Sequence, residues 1–329
     1  MKQIWLLCLT VSLTFSAFAQ AENIKVYPTH WWTGMKWNKL QVMVHSESDV
    51  NVWADKSVVS INYPGVKLVK VNKPENRKYA FLDLEIAPTA RPGIIKIDFN
   101  FIDKKEKFTI NYELKARAPG NGKDYALGVT SKDLVYLIMP DRFSNGDYSN
   151  DKVPGMRDQS LKRDTVYMRH GGDLKGVENK LDYLQSMGVT SIWLNPVIEN
   201  DMPDRTEHGY AFTDHYKVDR RLGGEAAYLS LINAAHKKGM KIIQDAVYNH
   251  VGNKHITVLD PPMKDWLHQW DKFTQTSYKD QVMFDPYASG KDKKIMEDGW
   301  FVRSMPDLNH HNIFVEKFLI QHALWTVQE

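Results

Sequence analysis

The hydrophobic period of this chain changes once, and that change decides which folds are open to it. Up to about residue 115, apolar residues alternate with polar ones. Leu40, Val42 and Val44 form one such run. Ile95, Ile97, Phe99 and Phe101 form another, and Phe108, Ile110, Tyr112 and Leu114 a third. A period of two belongs to half-buried strands. Turn signals at Pro64 and Gly65, at Asn72 and Pro74, and at Pro92 and Gly93 separate the runs. The expected fold of residues 22–118 is a small antiparallel β-sandwich. Pro119, Gly120 and Gly122 mark a linker, placed at 119–124.

Beyond the linker, in residues 125–329, the period becomes that of strands alternating with helices. Leu134 to Met139 is a continuous apolar strand. Leu174, Val177, Leu181 and Leu184 make a helical stripe stopped by Gly188. Thr190 to Leu194 is a second strand. Tyr228, Leu231, Ile232 and Ala235 mark a second helix, stopped by Gly239. Lys241 to Gln244 is a third strand, and Phe314, Phe318 and Trp325 mark a third helix. This order predicts a parallel α/β architecture. The segments after the three strands run to roughly thirty, thirty and sixty residues, lengths that usually carry function. All three leave the carboxyl ends of strands, where a (β/α)8 TIM barrel keeps its site. A doubly wound sheet also binds there, but no glycine-rich phosphate turn follows the first strand.

The third strand delivers Asp245, then Asn249 and His250, to one place. Polar side chains at the end of a buried strand are costly unless they bind something. Asn145, Asp147, Asn150 and Asp151 share one Gly-containing loop, and Gly171 and Asp173 follow at the next helix start. Oxygen donors clustered in this way suit a hard cation. Asx turns and a helix cap explain the loop residues equally well.

Composition narrows the partners. The net charge is +3, and removing residues 1–21, whose one charge is Lys2, leaves +2. No basic face stands out, so nucleic acid is a poor partner. Lys2, the apolar run from Ile4 to Phe18, and Ala19 and Ala21 read as a signal peptide over 1–21. The expected destination is periplasmic or secreted. The run is short for a membrane span, and an uncleaved N-terminal anchor is the alternative. Cys8, the one cysteine, lies inside it, so the mature chain is expected to carry no disulfide and no span.

At this point the residues resemble the α-amylase superfamily of glycoside hydrolases, in particular its cyclomaltodextrinase/neopullulanase branch. The stretches His30 to Met35 and Leu40 to Val44 resemble the β-domain that precedes the barrel in that branch. Pro140 to Asp147, His208 to Asp214, Asp245 to His250 and Met305 to Asn309 match family blocks in the family's order. The resemblance implies an N-terminal all-β sandwich followed by a (β/α)8 barrel, of which about three βα units are present, since a whole barrel takes roughly 250 residues. It implies a retaining hydrolase of α-glucans such as cyclodextrin, pullulan or maltodextrin, working through two carboxyl groups about 5 Å apart.

The resemblance also assigns roles. Asp245 supports and binds near the reacting subsite, His250 hydrogen-bonds the sugar's primary hydroxyl, and Tyr210 stacks beneath the ring. The family's nucleophilic Asp, acid Glu and third carboxylate follow the fourth, fifth and seventh strands. They are therefore expected beyond Glu329, and the chain alone is expected to be inactive. Asn145, Asp147, Asn150, Asp151, the Gly171 carbonyl and Asp173 match the branch's calcium site. Relatives that dimerise through the β-domain make a homodimer an open possibility.

The motifs leave several other residues with more than one role. His208 lines the cleft or is a solvated loop histidine. Asn249 and Asp307 match positions that help hold a second calcium in ordinary α-amylases, but plain hydrogen bonding is favoured. Trp31 and Trp32 are expected in the core or at a contact rather than as a sugar platform. Asp141 and Arg142 are expected to form a structural ion pair. Two further readings compete with the hydrolase: a non-catalytic carbohydrate-binding protein, and a calcium-dependent interaction module.

Overall fold

The computed structural model describes residues 23–48, 50–103, 106–122 and 126–329. The expected signal peptide at 1–21, Cys8 within it, and linker residues 123 and 124 lie outside the described residues. The chain divides into two compact units. One comprises residues up to Asn121 together with Glu316–Glu329, and the other Gly122–Val315.

The first unit holds eight described strands: β1 (Ile24–Tyr27), β2 (His30–Trp32), β3 (Lys39–Ser46), β4 (Ser57–Ile61), β5 (Val66–Asn72), β6 (Tyr79–Ile86), β7 (Gly93–Phe101) and β8 (Glu106–Lys115). They form two sheets, ordered β1-β3-β6-β5 and β2-β8-β7-β4. All pairs are antiparallel except β2 with β8. The alternation read from the sequence sets the register: Ile95, Ile97, Phe99 and Phe101 of β7 are buried, as are Phe108, Tyr112 and Leu114 of β8. Phe99 and Phe108 face each other across the ladder and stack at 4.6 Å. Leu40, Val42, Val44, Leu82 and Leu84 of the other sheet join the same core. Trp31 and Trp32 are buried in it, 0% and 3% exposed, as a core role requires.

Strand β3 is buried almost along its whole length, which alternation does not explain. The cause is the long helix α8 (Ile313–Gln328), most of which groups with the sandwich although its period belongs to the α/β pattern. Strand β1 pairs with β3 only from Met43 to Ser46, so the edge of β3 at Gln41 lacks a strand partner. The Gln321 side chain fills that gap. Its Nε2 donates to the Gln41 carbonyl at 2.8 Å, and its Oε1 accepts from the Gln41 N–H at 2.6 Å. A side-chain amide thus completes a ladder as a peptide group does, and no buried backbone donor is left orphaned. Leu324 and Trp325 pack against the core. Glu329 accepts from Lys115 at 2.9 Å and pairs with His30 at 2.8 Å, which hold its carboxyl down to about 2 despite burial.

In the second unit, β9 (Val135–Ile138), β10 (Ser191–Leu194) and β13 (Lys241–Gln244) form a parallel sheet in the order β13-β10-β9. Around them lie α1 (Pro140–Phe143), α2 (Leu174–Glu178), α3 (Leu181–Ser186) and α4 (Gly224–Lys237). The stripe expected as one helix is broken into α2 and α3 at Asn179 and Lys180. Ile138, Ile192 and Leu194 pack against Leu174, Val177, Leu184, Leu231 and Ala235, which gives the sheet one covered face. Leu137 and Trp193, on the opposite face by strand alternation, are 56% and 40% exposed. The sheet is open among the described residues. Its parallel order is that of consecutive βα units of the expected barrel.

The segment after β10 contains a small antiparallel pair, β11 (Ile198–Glu199) with β12 (Asp214–Val218). The segment after β13 carries α5 (Ile256–Leu259), α6 (Gln281–Phe284) and α7 (Gly290–Asp298). No described helix is long and apolar enough to cross a membrane.

Candidate functional site: a polar cleft at the strand ends

Two loops bring Tyr210, Asp245, His250 and His208 together at the carboxyl ends of β10 and β13. Asp245 follows β13 directly, and its Oδ2 accepts from the Tyr210 hydroxyl at 2.9 Å and from the Trp193 indole N–H at 3.2 Å. Burial and the Asp245 carboxylate push the Tyr210 phenol up to about 12, so it stays a hydrogen-bond donor at all ordinary pH. The Tyr210 ring rests on Ile198, Phe212 and Val247, which fixes its plane.

His208 lies beside Tyr210, with ring centroids 5.8 Å apart and nearly parallel. Its Nδ1 accepts from the Tyr210 N–H at 2.9 Å, which leaves the proton on Nε2. Gly209 makes this tight turn possible: φ is +83°, and a Cβ there would lie 2.2 Å from the Pro196 carbonyl oxygen. Burial, reinforced by nearby Arg205, brings His208 down to about 4. His208 is therefore a neutral, half-buried cleft residue and not a solvated one.

His250 is buried, and burial lowers it to about 4, against a weaker pull from the Tyr210 backbone. The Asn249 amide lies 3.2 Å from its Nδ1, and with that amide donating, the ring proton sits on Nε2. Nε2 has no well-formed partner in the protein. A buried N–H held only by the weak Tyr210 backbone contact is under-satisfied, and a ligand oxygen would satisfy it. Phe301 stacks on the His250 ring at 4.7 Å, and the Tyr278 hydroxyl donates to the Phe301 carbonyl.

The second cluster lies in the loop after β9. The Asn145 amide donates to Asp151 Oδ1 at 2.7 Å, and Asn150 Nδ2 lies 3.4 Å from Asp173 Oδ2. Asp173 also accepts from the N–H groups of Gly146, Asp147 and Gly176, so it caps α2 as well as gripping the loop. Gly171, at φ +82°, approaches so closely that a Cβ would fall 2.5 Å from Asp151 Oδ1 and 3.0 Å from Asn145 Nδ2.

The fit of a hard cation is tested by what these groups lack. The side-chain oxygens of Asn145 and Asn150 are buried and accept nothing. Burial, and then the Asp173 charge, push the Asp151 carboxyl up. Two orphaned amide oxygens beside two crowded carboxylates suit calcium. Asp147 is the exception: it is exposed, and its carboxylate is taken by the Ser149 N–H and hydroxyl. Among the described residues no three His, Cys, Asp or Glu side chains converge as a metal group.

The remaining positions fall into structural roles. Asp307 Oδ2 bonds His268 Nδ1 at 2.7 Å, and its backbone pairs with His250. Asn249 serves His250 as described. Both side chains thus have protein partners, in line with plain hydrogen bonding. Asp141 pairs with Arg142 as expected. It also lies 3.5 Å from the buried Arg169 and accepts from the His170 and Gly171 N–H groups. Arg169, Arg221, Asp158 and Asp219 are all buried. Arg221 binds Asp219 at 2.8 Å and the Asn200 carbonyl at 2.7 Å, while Thr206 donates to Asp158 at 2.7 Å. This network ties the loop after β9 to the loop bearing His208 and Tyr210. Sequence reasoning passed over it, as it passed over Trp193, Phe301 and Tyr278. An Asp and an Arg two positions apart, as in Asp219 and Arg221, carry no period that tells a buried pair from a solvated one.

Comparison with known proteins gives the chain that carries this sheet, cleft and oxygen-rich loop a family. Residues 137–325 match the family described as "Alpha amylase, catalytic domain", and residues 25–118 match "Cyclomaltodextrinase, N-terminal". The chain belongs to the α-amylase family of glycoside hydrolases and carries a cyclomaltodextrinase-type N-terminal domain. Its ancestry is that of α-glucan hydrolases. It is 31% identical over 202 residues to neopullulanase 2 of Thermoactinomyces vulgaris, covering 60% of this chain and 32% of that one. It is 32% identical over 201 residues to the cyclomaltodextrinase of Thermoanaerobacter pseudethanolicus, covering 61% and 33%. Among solved structures, the α-amylase of Geobacillus thermoleovorans complexed with acarbose aligns at 37% identity and a TM-score of 0.46, covering 60% of this chain and 37% of that one. The chain spans about a third of the length of these relatives.

Proposed function

We propose that the cleft binds an α-linked glucan, in a lineage of exported retaining hydrolases acting on cyclodextrin, pullulan or maltodextrin. Tyr210 offers an apolar face to a pyranose ring, Asp245 accepts from sugar hydroxyls, and the Nε2–H groups of His250 and His208 donate to hydroxyl oxygens. The observation that carries this reading is the neutral, buried His250 whose Nε2–H has no well-formed protein acceptor, beside the Tyr210–Asp245 pair. In this reading calcium binds through Asn145, Asn150, Asp151, Asp173 and the Gly171 carbonyl. It holds the loop after β9 in shape and takes no part in chemistry. Export to the periplasm or medium rests on residues 1–21 alone.

The test is calorimetric titration of the 329-residue chain with maltohexaose and β-cyclodextrin. Saturable binding is expected, weakened on the order of 30-fold by Tyr210→Ala or His250→Ala with the melting temperature retained. Absence of binding by the parent chain sinks the reading. The roles assigned here are binding roles, and no residue of this chain is assigned as nucleophile or acid. Release of reducing ends from these glucans by the chain alone would overturn that assignment.

One observation favours the alternative, a non-catalytic carbohydrate-binding protein. A cavity of about 200 Å³ in the first unit is lined by Trp32, Met35, Trp37, Asn38 and Pro88, with Trp37 45% exposed. Retention on a starch gel that survives Tyr210→Ala and is lost in Trp37→Ala would support it.

A further inference from the structure

At the tip of the loop after β9 an aromatic ring stands in water. Tyr167 is 60% exposed, between Val166 at 73% and Met168 at 38%. Three neighbouring apolar side chains left in solvent are unusual in a loop otherwise well tied down. Its ties are explicit. The Lys162 N–H donates to the Arg169 carbonyl at 2.8 Å, the Met168 N–H to the Thr165 carbonyl at 3.2 Å, and Arg142 Nη2 to the Val166 carbonyl at 2.7 Å. The tip is therefore a fixed feature, and its apolar face is not a consequence of fraying.

Arg205, from the loop after β11, reaches this ring: its Cζ lies 4.3 Å from the Tyr167 centroid. Arg205 holds φ at +52°, a left-handed conformation that side chains other than Gly, Asn and Asp rarely adopt. The next residue, Thr206, is buried and anchored to Asp158 and Arg169, so the strained backbone cannot relax towards the chain's carboxyl side. Strain of this kind, held by a surrounding network, collects at ligand clamps. Arg205 stands three residues before His208 and five before Tyr210 on the same loop, which brings the Tyr167–Arg205 pair next to the cleft.

We propose that Tyr167 and Arg205 form a second sugar platform at the cleft rim, which takes a glucose unit of the same α-glucan remote from the unit on Tyr210. The guanidinium covers one face of the tyrosine and fixes its plane, and the exposed remainder of the ring is available to stack on a pyranose. Arg205 also supplies donors for hydroxyls. The pair thus sets preference by chain length and leaves the reacting subsite untouched. This rests on the glucan-binding reading above.

The test compares affinities for maltose and maltohexaose in the full chain. Tyr167→Ala and Arg205→Gly are each expected to weaken maltohexaose about 5- to 20-fold and to change maltose less than twofold. Arg205→Gly also relieves the positive φ, so its melting temperature is expected to hold or rise. Equal loss on both sugars, or none on either, overturns the rim platform while the parent's binding upholds the glucan reading. A fall in melting temperature of both variants without a length-dependent loss assigns the pair as a loop clasp and overturns the proposal. A parent chain that binds neither sugar overturns both readings together.

Discussion

Three imidazoles in the second unit are neutral for the same reason, and this sets how the protein answers to acid. His208, His250 and His255 are each brought down to about 4, chiefly by burial. His255 is also held in place, with Nε2 3.1 Å from His215 Nδ1 and Nδ1 2.8 Å from the Thr257 hydroxyl. The unfolded chain binds these protons near pH 6.5, whereas the folded chain resists them until about pH 4. Between those values the unfolded state carries more protons, so stability falls as pH falls, by at most on the order of 3 kcal/mol per imidazole. The window closes below the folded values and has no effect above about pH 7. Chemical denaturation at pH 7 and pH 5 is expected to show the loss, and His255→Gln, which keeps hydrogen-bonding capacity, is expected to flatten it. A midpoint indifferent to pH across that interval would refute the account. Glucan binding is expected to hold across most of that interval and to weaken only near pH 4, where the folded His250 takes up its proton.

Among the elements, the loop after β9 and helix α8 carry the sharpest expectations. The oxygens of Asn145 and Asn150 have no donor, and Asp151 is crowded by Asp173. Calcium bound there would raise the melting temperature by mass action. A rise of several degrees with millimolar calcium is expected, reversed by chelator and absent in Asp151→Ala. A melting curve unmoved by calcium and chelator alike removes calcium from the account. Helix α8 grips β3 through Gln321, and Gln321→Leu leaves the Gln41 N–H and carbonyl buried without partners. That change is expected to cost about 2–4 kcal/mol and to speed hydrogen exchange at Gln41. Gln321 was not legible in the sequence. Nothing in a helical period announces that one side chain will complete a sheet in place of a strand. The parallel strands were legible, because continuous apolar runs ending in Asp245 or Asn195 admit few other readings. Strands β4 and β5 were not, since their side chains are mostly half-buried or exposed and alternate weakly. The short β11 and β12 escaped because loop-like sequence separates them. Of the site, Asp245 and His250 were marked by their place at the end of a buried strand and Tyr210 by a family block, whereas Trp193 looked like any other core tryptophan.

Taken whole, the chain leaves the first unit at Asn121 and returns to it at Glu316. In chain order the α/β unit is an insertion into the sandwich unit, a partition that a boundary drawn at 119–124 alone misses. Residues 316–329 supply Gln321 to Gln41, Gln328 to Arg117, and Glu329 to His30 and Lys115. Leu324 and Trp325 seal apolar surface that the eight strands leave uncovered. Anyone cutting out residues 23–118 as a portable module would therefore be handling a lid-less box. Such an excerpt should bind hydrophobic dye and self-associate, and a fusion that restores 316–329 through a flexible tether should cure both defects. Equal solubility and melting of the two excerpts would show that the returning helix is a guest and not a wall.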